Sequence, residues 1–136
     1  FFSVIAPGRA QANRAQAISD TSAEPIVIDS SVNANTQSQM RTRTSPSGRT
    51  IVNITGGARD GDNLFHNFER FNVPIDATVR FRPLAIVENV LSRVSGSDPS
   101  DILGTLAVGG SANLWLINPN GIIFGEQAVI DIDGSF

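Results

Sequence analysis

Apolar residues fall in short β-prone stretches, broken by Gly, Pro or clusters of Asn, Ser and Asp. Pro25-Ile26-Val27-Ile28-Asp29 reads as an entry strand, and Thr50-Ile51-Val52-Asn53-Ile54-Thr55 as a stronger one, ended by Gly56-Gly57. Between them residues 30–48 are polar, with Arg41-Thr42-Arg43-Thr44 patterned as an exposed strand and Ser45-Pro46-Ser47-Gly48 as a turn. Thr78-Val79-Arg80-Phe81-Arg82 alternates, which sets Val79 and Phe81 on one face and Arg80 and Arg82 on a solvated one. Residues 101–108, 112–117, 122–124 and 129–132 continue the series, so the spacing predicts an all-β domain.

Two stretches are ambiguous. Apolar positions 64, 65, 68 and 71 match helical spacing, while the aromatic content of the same segment favours extended structure, the reading adopted here. Residues 84–91 fit a helix or two short strands equally well. The architecture also stays open at this level. An antiparallel sandwich and a parallel β-helix use the same short strands, and Asn120-Gly121, a favoured hairpin dipeptide, tilts the residues toward hairpins.

Composition narrows function. The 136 residues include no Cys and one His, and the net charge is −3. Without Cys there is no disulfide framework, thiolate metal site or thiol nucleophile, which suits a chain crossing a periplasm unfolded. No basic stripe marks nucleic-acid binding. No apolar run approaches the length of a membrane span. His66 has no second His or Cys to complete a metal site. Asp131 and Asp133 have no convergent partner and read as a solvated face, as do Arg80 and Arg82. No catalytic, metal or cofactor-binding residue and no small-molecule site is therefore expected. At the start, Phe1-Phe2-Ser3-Val4-Ile5-Ala6 followed by Ala10-Gln11-Ala12 reads as the back half of a signal peptide, with residues 1–23 a processed and polar lead.

The segment carrying most information is Asn113-Leu-Trp-Leu-Ile117-Asn118-Pro119-Asn120-Gly121-Ile122. Pro119 pre-sets φ, the Asn118 side chain can bond the turn backbone, and Gly121 accepts φ > 0. The physics describes a rigid corner anchored by apolar runs on both sides. Asn53, Asn113 and Asn118 are candidates for side-chain ladders between turns.

This corner resembles the Asn-Pro-Asn-Gly-Ile motif of the two-partner secretion domain found in filamentous haemagglutinin-like (TpsA-type) exoproteins. Residues 63–68 with Phe71-Asn72-Val73, then 89–94, 102–106, 125–129 and 134–136, are similar to further family markers in the family's order, over residues 24–136. A second motif of many members, Asn-Pro-Asn-Leu, is missing; Ser97-Asp98-Pro99-Ser100 occupies the comparable stretch, as in cyanobacterial-type members. The resemblance implies a right-handed parallel β-helix with N-terminal capping strands around residues 26–55, here truncated. It implies a secreted, cell-surface protein of a Gram-negative-type bacterium, no enzyme and no cofactor, and a partner: the periplasmic POTRA domains of an outer-membrane TpsB-type β-barrel transporter. Asn118, Pro119, Asn120, Gly121 and Ile122 would be the secretion motif, and Phe65, Phe68, Phe71, Asn72 and Trp115 possible partner contacts. The alternatives are an adhesive module and a carbohydrate-active β-helix enzyme.

Overall fold

The computed structural model describes residues 24–84 and 86–136. Strands in chain order are β1 (Ile26–Ile28), β2 (Ser38–Thr44), β3 (Thr50–Gly56), β4 (Ala58–Asp60), β5 (Asn63–Phe71), β6 (Ala77–Phe81), β7 (Asn89–Val94), β8 (Ser100–Ile102), β9 (Thr105–Val108), β10 (Asn113–Ile117), β11 (Ile122–Phe124) and β12 (Val129–Asp131). A 3-10 turn at Ala34–Thr36 is capped by the Asn33 side chain, and no α-helix occurs among the described residues.

Consecutive strands do not pair as hairpins along most of the chain. They step from one sheet to the next and return roughly one coil of 25 residues later, in the manner of solenoids. One sheet has the order β12-β9-β6-β3-β2, a second β10-β7-β5-β1 with β4 also on β5, and a third is β11-β8. All coil-to-coil pairs are parallel, with Val52, Val79, Leu106 and Ile130 in one register row and Leu64, Val90 and Leu114 in another. The chain is thus a β-solenoid of about three turns, which settles the choice between architectures against hairpins. Asn120-Gly121 joins strands of different sheets.

Alternation decides what lies inside. Val79 and Phe81 face the core with no exposure, as their spacing predicts. Phe68, Phe71 and Phe81 cluster at 5.1 to 6.3 Å between ring centroids, and each buried ring contributes about 1.5–3 kcal/mol. Segment 64–71 is a strand, and its helix-like spacing has a local cause. Leu64, His66 and Phe68 point inward, then the register against β1 shifts and Phe71 points inward as well. A β-bulge inserts one residue and changes the parity of the apolar positions. Of the 84–91 run, Leu84 and residues 86–88 are loop, with Leu84 and Ile86 almost fully exposed, and from Asn89 the chain becomes β7, so the described residues form neither a helix nor two strands.

Among the described residues antiparallel pairs are confined to β1–β5, β2–β3 and β4–β5, all toward the N-terminal end. These strands cover the first coil and relieve it of unpaired backbone. The expected cap at residues 26–55 is thereby refined, because β3 is antiparallel to β2 yet parallel to β6 and forms part of the first coil.

Candidate functional site

β10 ends at Ile117 and β11 begins at Ile122, and the four residues between them build the corner. The Gly121 N–H donates to the Asn118 carbonyl at 3.0 Å, closing a four-residue turn with Pro119 in its second position. Gly121 has φ of 107°, where a Cβ is strained even though the space around it is open. The Asn118 Oδ1 accepts from the Asn120 N–H at 2.9 Å and from its Nδ2 at 3.2 Å.

The corner is fastened to the coil beneath it. Asn118 Nδ2 donates to the Asp98 carbonyl and to Ser100 Oγ, both at 3.0 Å. Asn120 Nδ2 donates to the Gly96 carbonyl at 2.8 Å, and the Ser100 N–H donates to the Gly121 carbonyl at 3.0 Å. Stretch 97–100 is therefore the underlying corner. It is tied in turn to the first coil: Asp98 pairs with Arg70 at 3.3 Å, and the Ser95 N–H donates to the Phe68 carbonyl at 2.8 Å. Gly96 is required here, since a Cβ would collide with the Glu69 carbonyl. One staple runs through three levels of the stack, and its links are neutral amides for the most part, insensitive to pH.

A second ladder stands at the start of the β5-β7-β10 sheet. Asn89 Nδ2 donates to Asn63 Oδ1 at 2.9 Å, Asn113 Nδ2 to Asn89 Oδ1 at 3.0 Å, and Asn113 Oδ1 accepts the Ser135 N–H at 2.8 Å. Asn113 is thus in a ladder, but Asn53 is not; it sits on the outer face in register with Arg41 and Arg80. Asn63 and Asn89 escaped the sequence reading, although recurrence of Asn at one-coil spacing is the signal that marks them.

The remaining candidates separate. Phe68 and Phe71 are core residues, with 0% and 1% exposure, so in the folded domain they pack and do not offer a contact surface. Phe65 is half-buried on the outer face, in register through Leu91 with Trp115. Trp115 is 57% exposed, its indole N–H 3.4 Å from Asn89 Oδ1. Asn72 accepts the Asp101 N–H at 2.8 Å, and half-buried Ile122 pairs in register with Ser100. His66 is buried against Phe81, its Nδ1 2.7 Å from Ser38 Oγ, and burial pushes its pKa down to about 4. Hydrogen bonds from Ser31 and Ser95 lower that of Asp29. Among the described residues no three His, Asp or Glu side chains converge as a metal set, and no helix is long and apolar enough to cross a membrane.

A family model described as TPS secretion domain matches residues 26–136. The chain belongs to the TPS secretion domain family. No curated protein and no solved structure matches it. The match makes this TPS domain the secretion-targeting part of a TpsA-type exoprotein from a Gram-negative-type bacterium, and it places the chain in a secretion family, not a family of enzymes. A TpsB-type transporter is the partner that this membership implies.

Proposed function

We propose that residues 24–136 form the address read by the periplasmic POTRA domains of the cognate outer-membrane transporter, residues 1–23 being the processed lead, which lies outside the described residues. The chain passes the pore unfolded and folds into its coils at the cell surface. The cyanobacterial-type variant is the reading that the 97–100 corner supports, since it takes the place below Asn118 without the Asn-Pro-Asn-Leu sequence.

The observation that carries the proposal is the family match over nearly the whole described chain, joined to a motif whose side chains bond only within the motif and to the preceding coil. Before that coil exists, the Asn118 and Asn120 side chains lack their partners at Gly96, Asp98 and Ser100, and the same segment is an extended strand-turn-strand open to a receptor's sheet edge.

Deletion of residues 24–136 from the full-length exoprotein tests this. Lost secretion with the protein retained in the periplasm is the expected result. Normal secretion with lost adhesion would instead assign the domain to an adhesive surface role. A pull-down with the transporter's periplasmic domains supplies the direct readout.

A further inference from the structure

Among the described residues β2 is the outermost strand of the β12-β9-β6-β3-β2 sheet, and its pairing parity is fixed at both ends. The Gly57 N–H donates to the Gln37 carbonyl at 3.1 Å, and the Ser45 N–H to the Arg49 carbonyl at 2.8 Å. In an antiparallel ladder the bonded residues alternate. Gln39, Arg41 and Arg43 therefore exchange bonds with β3, while Ser38, Met40, Thr42 and Thr44 turn their N–H and C=O groups to the other side. Among the described residues no strand pairs there. The result is a seven-residue edge with four donor and acceptor positions.

Charge on this sheet is predominantly basic. Arg41 and Arg43 point to its outer face, where Arg41, Asn53 and Arg80 share one register row and Arg82 follows at the end of β6. Asp131 is the one acidic residue in the sheet's strands, and its carboxylate is 3.9 Å from Arg80. Among the described residues Arg41, Arg43 and Arg82 have no carboxylate within ion-pairing distance. A basic band thus crosses the edge of a chain whose net charge is −3.

We infer that the β2 edge of the folded domain binds an acidic, extended peptide segment that adds to the sheet as a further strand. Backbone bonds from Ser38, Met40, Thr42 and Thr44 supply affinity. Alternate carboxylates of the added strand lie beside Arg41 and Arg43, roughly one strand spacing of 4.8 Å away. The same arginines disfavour a second copy of this chain, because two basic edges repel. The edge exists only after β2 and β3 have paired, so the contact belongs to the folded domain and does not depend on how the unfolded chain is recognised.

The probes are fluorophore-labelled peptides of alternating Thr and Glu or alternating Thr and Lys, titrated with the full chain and read by fluorescence anisotropy. The Thr/Glu peptide binds, more weakly as salt rises, and the Thr/Lys peptide does not. Thr42→Pro removes an N–H that the β2–β3 ladder does not use, and Pro is tolerated at such an edge position. It weakens binding at least about tenfold while the urea midpoint holds. The paired change Arg41→Glu with Arg43→Glu reverses the preference to the Thr/Lys peptide, and if the proline variant folds poorly, failure of polygalacturonate to displace the Thr/Glu peptide separates strand addition from a polyanion patch. Equal binding of both peptides, or none, overturns the inference. So does Thr/Glu binding that the charge swap abolishes and Thr42→Pro leaves intact, with polygalacturonate as an effective competitor: the face would then be a patch for polyanions and not a strand acceptor.

Discussion

Asn118→Ala removes the link on which the corner depends most. The native side chain holds the turn through its bond from the Asn120 N–H and holds the coil below through two bonds from Nδ2. A net contribution of about 1 kcal/mol for each partly exposed bond gives a loss of about 2–3 kcal/mol. The lower end is favoured because Asn118 is half-buried and water reaches part of the site. For a domain of this size the urea m-value is about 2 kcal/mol/M, so the unfolding midpoint falls by about 1 M or more at constant m. Asn118→Asp refines the test: it keeps the acceptor of the turn but loses the Nδ2 donor to the Asp98 carbonyl, and its cost should come mainly from the inter-coil half. A midpoint within about 0.2 M of wild type for Asn118→Ala would refute the assignment of the staple as a stabilising element.

Gly121→Ala meets no atom but is forced to a positive φ, so it costs about 1–2 kcal/mol in urea unfolding; Asn120→Ala combined with Gly121→Val impairs folding and secretion together. Phe68→Ala empties the centre of the ring cluster and costs about 3–5 kcal/mol, whereas Trp115→Ala, on the open face, stays near wild type in the same titration. His66 carries a folded-state pKa of about 4 against 6.5. The unfolded chain therefore binds the proton first, and stability falls as pH drops from about 6.5 toward 4, by up to about 3 kcal/mol, a slope that His66→Gln removes in pH-dependent unfolding.

The alternation of residues 78–82 was readable because it obeys a two-residue period over a strand with one buried face, and the short runs after residue 101 were readable from the Gly and Asn/Ser/Asp clusters that bound them. The corner at 118–121 was readable because Asn, Pro and Gly each do a different conformational job there. Parallel against antiparallel was not readable from the residues themselves, since strand length and turn composition are the same in both; the resemblance supplied it. The bulge in β5 disguised a strand as helical spacing. Leu84 and Ile86 misled in the other direction, being apolar residues spent on an exposed loop. The asparagine ladder was half-seen, with Asn113 found and Asn63 and Asn89 missed, because cross-coil register is a property of the stack.

The parallel register has a kinetic corollary. β7, β9, β10, β11 and β12 each find their partner about 25 residues upstream, so the loop to be closed is nearly the same at each step, at an entropic cost near (3/2)RT ln n, about 3 kcal/mol. That cost does not grow with the amount of protein still to arrive. Sequence separation between contacts stays short and constant, and the order of assembly is the order of delivery. The antiparallel β2–β3 hairpin gives this progression a local origin, its strands being joined by the short Ser45–Arg49 turn, whereas β1 closes on β5 only after that later strand has arrived.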